Sequence, residues 1–131
     1  MGKNLAKNLQ IGSIIALKGV IGSGKTCFAK GIALGLGIKE EIISPTYTII
    51  SEYEGFLNER PIIFFHIDAF RLRGSQDFLD IGGEDIIFGN GITLIEWSDN
   101  IDDLIPKNAI IVNIDIINEN KRKIRVKIEN I

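Results

Sequence analysis

Apolar residues in this chain fall into short runs, each bounded by polar or turn-forming residues. Ile14-Ile15-Ala16-Leu17 is the first, and its unbroken apolarity suits a strand buried on both faces of a parallel sheet. Phe28, Ile32, Leu34 and Leu36 then fall among good helix formers, and Gly37 supplies a C-terminal stop, which predicts a helix. Ser44-Pro45-Thr46 marks a turn or cap. Tyr47 to Tyr53 is β-branched and aromatic and reads as a strand, Glu54 to Arg60 as a polar loop, and Ile62 to Ile67 as a second strand. These two strands are close enough in sequence to pair as an antiparallel hairpin with a long loop. Short helical stretches are expected near Gln76–Leu79 and Glu84–Phe88, flanked by Ser75 and Gly83. Gly91 opens another buried run, Ile92 to Ile95, that stops at Glu96. Ser98 can cap a short helix ending before Pro106. Ala109 to Ile117 and Lys123 to Ile128 read as a terminal hairpin turning at residues 118–120. In its last strand Ile124, Val126 and Ile128 alternate with Lys123, Arg125 and Lys127, which predicts one buried and one basic face.

The residues joining the first strand to the first helix add chemistry to this pattern. Gly19 to Thr26 reads Gly-Val-Ile-Gly-Ser-Gly-Lys-Thr, the G-x-x-x-x-G-K-[ST] phosphate-binding loop. Its glycines let successive N–H groups turn toward phosphate oxygens. Lys25 reaches the β- and γ-phosphates, and the Thr26 hydroxyl is a ligand for Mg²⁺. Gly22, Ser23, Gly24, Lys25, Thr26 and Cys27 are therefore the expected nucleotide-binding residues, at the positive end of a helix dipole. With the hairpins, this strand–loop–helix unit predicts an α/β P-loop NTPase: a mixed, mostly parallel sheet with flanking helices and antiparallel hairpins.

Composition narrows the class. The chain has 131 residues, enough for one domain spanning 1–131 with its own core. An apolar fraction of 45% and a charged fraction of 24% are ordinary for a globular protein. A net charge of −2 gives no general attraction to nucleic acid or to anionic membrane. One cysteine leaves no internal disulfide, and no apolar stretch reaches the ~18 residues of a bilayer span. Met1 to Gln10 is polar, with Leu5 and Leu9 spaced like one face of a short helix, and does not read as a signal peptide. A cytoplasmic location is expected.

A P-loop enzyme needs a further acid beside its metal, and two strand ends offer one: Asp68 after Ile62–Ile67 and Glu96 after Ile92–Ile95. Either carboxylate can bind Mg²⁺, and the other can orient the attacking water. His66 shares a strand face with Asp68. It is either a proton shuttle or a histidine hydrogen-bonded in the core. Cys27 reads as packing, although a helix N-terminus acidifies a thiol. Trp97 either fills the core or meets nucleotide or a partner. Five basic residues within Lys121–Lys127 make either a solvated strand face or a contact surface.

In their order and spacing these motifs resemble those of the TsaE (YjeE) family, the small bacterial ATPases of tRNA threonylcarbamoyladenosine formation. The matching pieces are Gly19–Thr26, Ser44-Pro45-Thr46-Tyr47-Thr48, His66-Ile67-Asp68-Ala69-Phe70-Arg71-Leu72, Gly82-Gly83-Glu84-Asp85 and Leu94-Ile95-Glu96-Trp97, covering residues about 12 to 106. The Ser-Pro-Thr and Ile-Glu-Trp segments are far more specific than the P-loop. The resemblance implies ATP and Mg²⁺ as cofactors, with Thr26 and Glu96 as metal ligands. It implies that Lys25, Asp68 and Glu96 serve catalysis, Asp68 being needed for hydrolysis. Ser44, Thr46 and Thr48 would belong to a switch sensing the γ-phosphate. It further implies binding to TsaB and TsaD, with tRNA met only through that complex and TsaD carrying the transfer to adenosine 37. Val20 stands where the family usually has Asp, and Phe70 where it has Tyr. Only 18 residues precede the loop, where the family has a longer segment that helps hold adenine, so an incomplete or differently built base pocket is expected.

Other classes fit less well. A small nucleotide or metabolite kinase usually needs several arginines and a lid. This chain has five arginines, none in a long insertion. A GTPase needs an Asn-Lys-x-Asp string, which is missing from the sequence. A nucleotide-dependent adaptor that does not hydrolyse ATP has the same sequence features as a slow ATPase.

Overall fold

The computed structural model describes residues 9–19, 25–39, 50–69, 72, 74–96, 103–118 and 121–128. Its elements are β1 (Ile14–Gly19), α1 (Lys25–Gly35), β2 (Ile50–Leu57), β3 (Arg60–Asp68), α2 (Ser75–Asp80), α3 (Gly83–Ile87), β4 (Ile92–Glu96), β5 (Ile110–Asn118) and β6 (Lys121–Ile128). The strands form one six-stranded sheet in the order β2-β3-β4-β1-β5-β6. Within it β1 runs parallel to β4 and β5, and β3 parallel to β4. The hairpins β2–β3 and β5–β6 supply antiparallel pairs at the two edges. This is the mixed α/β architecture that the P-loop unit and the hairpins predict.

Two of the apolar runs, β4 and β1, occupy the middle of the sheet. All of β4 is buried, as are Ile14 to Leu17 of β1. A strand covered on both faces has no polar side to show, which is why these runs lack alternation. On one face Ile15, Leu17, Phe64, Leu94, Val112 and Ile114 pack under Phe28, Ala29, Ile32, Ala33 and Leu36 of α1 and its end. Those helical positions make one stripe at i, i+1, i+4, i+5 and i+8. Leu34 lies off the stripe and is 62% exposed, so it is not the core residue that the spacing of apolar residues suggests. On the other face Ile14, Ile67 and Ile95 pack with Phe78 and Ile87 from the short helices α2 and α3.

Helix α1 ends as predicted at Gly37, which has φ of +69°. The Gly37 N–H donates to Leu34 O at 3.1 Å and the Ile38 N–H to Ala33 O at 3.0 Å. This pair of bonds is a Schellman closure, and it leaves Ile38 and Ala33 together in the core.

The first hairpin differs from its sequence reading. Residues 54–60 are not a long loop: Leu57 pairs with Arg60 and only Asn58 and Glu59 turn. Both have positive φ, 51° and 68°. A two-residue turn with left-handed geometry at both positions matches the strand twist, and Asn tolerates that geometry. Glu59 is a poor residue for it, so the turn carries no Asn-Gly signature. The second hairpin and the short helices lie close to their expected places. The Ser98 cap, residues 47–49 of the β2 prediction and residues 119–120 lie outside the described residues, as do the side chains behind the buried-and-basic reading of the last strand. Among the described residues no helix is long and apolar enough to cross a membrane.

Candidate functional site

Parallel strands put their C-terminal ends on one rim, and β1, β3 and β4 end together. Leu17 pairs with Glu96 across β1–β4, and Asp68 pairs with Glu96 across β3–β4. The two acids singled out in the sequence are therefore Cα partners on adjacent strands. Residues 20–24 join the end of β1 to the start of α1, so α1 begins at this same rim. It then runs back over the face that holds Leu17, Phe64 and Leu94. Side chains alternate along a strand, so His66, Asp68 and Glu96 belong to that same face. The first turn of α1, with Lys25, Thr26 and Cys27, thus shares both a rim and a face with the two carboxylates.

Glu96 is 4% exposed and His66 fully buried. His66 Nε2 and Glu96 Oε2 are 2.9 Å apart. Against a carboxylate, which accepts, the ring is the donor through its Nε2–H. The ring's Nδ1 is buried and has no hydrogen-bond partner among the described residues. Backbone register explains the contact. His66 is level with Leu94, so Glu96 is its diagonal neighbour two positions along β4, within reach of a long side chain. The imidazole also stacks on Phe64, two residues back on the same face, with ring centroids 6.3 Å apart and an interplanar angle of 19°. One backbone bond closes the rim: the Ala69 N–H donates to Glu96 O at 2.9 Å as the chain leaves β3.

Of the residues expected at the site, Asp68 and Glu96 are brought together, and Lys25, Thr26 and Cys27 open α1 beside them. Gly22, Ser23 and Gly24 of the loop and Ser44, Thr46 and Thr48 of the switch segment lie outside the described residues, as do Phe70, Arg71, Arg73 and Trp97. His66 is hydrogen-bonded in the core, which is one of its two sequence readings. Its partner is not legible from sequence, because a pairing between residues 30 positions apart depends on sheet register.

Comparison with known proteins gives the same family as the motifs. The profile of the family described as "Threonylcarbamoyl adenosine biosynthesis protein TsaE" matches residues 1–124. The chain belongs to the TsaE family. It is 38% identical to the tRNA threonylcarbamoyladenosine biosynthesis protein TsaE of Treponema pallidum, over 95% of this chain and 89% of that one. The Bacillus subtilis protein of the same name is 34% identical over 86% of this chain and 68% of its own length. Among solved structures, crystalline Bacillus subtilis YdiB superposes with a TM-score of 0.77 at 29% identity, covering 98% of this chain and 76% of that one.

Proposed function

We propose that this chain is an ATPase that supports formation of threonylcarbamoyladenosine in tRNA, acting on the TsaB–TsaD pair. Family membership supports the pathway. The observation that carries the nucleotide chemistry is the placing of Asp68 and Glu96 as strand-end partners beside the helix that opens with Lys25 and Thr26.

The donor set suits ATP with Mg²⁺. Oxygen ligands are what this hard cation takes, and it is usually held by one or two carboxylates and substrate phosphates. Glu96, a buried carboxylate at the rim, would be such a ligand, and the Thr26 hydroxyl would be the second. The bound ion supplies charge compensation at the β- and γ-phosphate oxygens. Lys25 adds a positive charge at the same oxygens. Residues Gly22 to Cys27 would cradle the phosphates with backbone N–H groups at the positive end of α1. Asp68 would accept a hydrogen bond from the attacking water and hold it in line with the γ-phosphorus. Ser44, Thr46 and Thr48 would report whether that phosphate is present. tRNA is met through the TsaB–TsaD complex, and TsaD performs the transfer.

The test is phosphate release from ATP by the chain alone and with TsaB and TsaD, beside threonylcarbamoyladenosine formation on tRNA. The expected result is slow release alone, faster release in the complex, and loss of both release and repeated modification cycles in Lys25→Ala. Removing that charge-assisted contact should cost ~2–4 kcal/mol of transition-state stabilisation. Wild-type hydrolysis by Lys25→Ala would refute the P-loop assignment.

A further inference from the structure

We propose that His66 is a positioning residue for Glu96: its Nε2–H fixes the carboxylate so that one oxygen is committed to the ring and the other is presented to the divalent cation. The inference rests on the reading of Glu96 as a metal ligand and adds a residue with no metal contact of its own.

A glutamate reaches its ligand position through three rotatable bonds, and the last has a broad, soft profile. Fixing the carboxylate plane therefore needs an outside donor. The His66 ring is well placed to be one. It is fully buried, its Nε2 stands 2.9 Å from Oε2, and it stacks with the Phe64 ring at a centroid distance of 6.3 Å. Because the donor sits on β3 and the acceptor on β4, the bond also ties the carboxylate to the strand that carries Asp68. The Nδ1 atom, without a partner among the described residues, points to the same conclusion. A histidine kept only to fill core space leaves a buried polar nitrogen unsatisfied, a cost that an apolar ring of similar shape avoids. The one side-chain bond the ring makes among the described residues is to the acid at the rim. Hydrogen bonds to ligating carboxylates of this kind are worth about 10–100-fold in metal affinity.

His66 is the chain's only histidine, so it can be observed alone. With the ring ¹⁵N-labelled, the free protein should carry its proton on Nε2. The Nε2 resonance should move when Mg²⁺ joins a non-hydrolysable ATP analogue and move far less with the analogue alone. A proton on Nδ1, or a resonance indifferent to Mg²⁺, overturns the proposal without any variant. The variants give an independent measure, the Mg²⁺ concentration needed for half-maximal analogue binding. His66→Phe keeps a ring and removes the donor, and should raise that concentration about 10-fold or more. His66→Gln returns an N–H donor and should recover most of the loss. Glu96→Gln identifies which claim fails. If Glu96→Gln loses the Mg²⁺ dependence while His66→Phe keeps it, His66 is merely structural. If Glu96→Gln itself keeps wild-type dependence, the reading of Glu96 as ligand fails instead.

Discussion

At the scale of single residues, two acids one strand apart are assigned different tasks. Glu96 is buried and held by an imidazole, whereas Asp68 is half-buried at the end of the neighbouring strand. A fixed carboxylate suits a metal, and one with more access to solvent suits an attacking water. Glu96→Ala is therefore expected to weaken Mg²⁺-dependent nucleotide binding. Asp68→Ala is expected to leave that binding near wild type and to slow turnover, by about 10²-fold or more for a lost general-base contact. Binding titrations with and without Mg²⁺, beside single-turnover rates, separate the two. Equal loss of both quantities in both variants would refute the division. Both acids are legible in the sequence, since each ends an apolar run, and so is the face that His66 shares with Asp68. The bond from His66 to Glu96 is not. Nothing in the sequence says that Asp68 and Glu96 end at the same level on adjacent strands, and that level is what makes His66 the diagonal neighbour.

At the scale of elements, two contacts of the β2–β3 hairpin make testable demands. The Phe56 N–H donates to Leu36 O at 2.6 Å, drawing β2 against the end of α1. A Cβ at Gly55 would stand 2.7 Å from that same Leu36 O and 2.9 Å from Ile38 Cγ1. The nearest obstacle is backbone, which cannot swing aside. Gly55→Ala should destabilise the protein by about 1–3 kcal/mol, as overpacking does. Because the contact is at the far end of α1 from Lys25, the folded protein should bind nucleotide as wild type. Denaturant unfolding measures the first quantity and analogue titration the second; unchanged stability would mean that hairpin and helix do not approach so closely. At the tip, Glu59 holds a left-handed conformation that costs an L-residue about 1–2 kcal/mol, partly offset by the backbone entropy that glycine would lose. Glu59→Gly, making the turn Asn-Gly, should stabilise by up to about 1 kcal/mol. A lower melting temperature would contradict the turn geometry. These details mark the limit of what local signals carry. β1, β4 and the end of α1 are legible because short apolar runs with clear bounds and a glycine stop act locally. The tip is not, because a glycine, Gly55, interrupts the signal three residues before the turn, β3 opens on Arg60 and Pro61, and a Glu at positive φ carries no turn signature. Leu34 reads as inward because its neighbours are apolar, although the stripe of α1 passes it by.

At the scale of the molecule, everything assigned to nucleotide chemistry among the described residues gathers at one rim of the sheet. The two P-loop ends, β1 and α1, meet there with the strand ends of Asp68 and Glu96. Neither Gly19–Thr26 nor Ser44–Thr48 contains an arginine, and Arg71 and Arg73, after Asp68, are the nearest candidates in the sequence. An ATPase without an ordered positive group at the γ-phosphate leaves charge on the equatorial oxygens uncompensated. Supplying that group is worth ~10³–10⁵-fold in rate. The expectation is therefore that TsaB–TsaD raises turnover by completing this rim. Linkage then fixes a second result. If docking favours the nucleotide-bound form, nucleotide must favour docking by the same factor, because the two binding free energies share one coupling term. A factor of about 5–150 is typical of such coupling, so the affinity for TsaB–TsaD should differ by that order between ATP analogue and no nucleotide, with ADP nearer to the empty protein. Titrations of labelled chain with TsaB–TsaD in the three nucleotide states measure it. Equal affinities in all three would remove the switch and leave a constitutive ATPase on a passive dock.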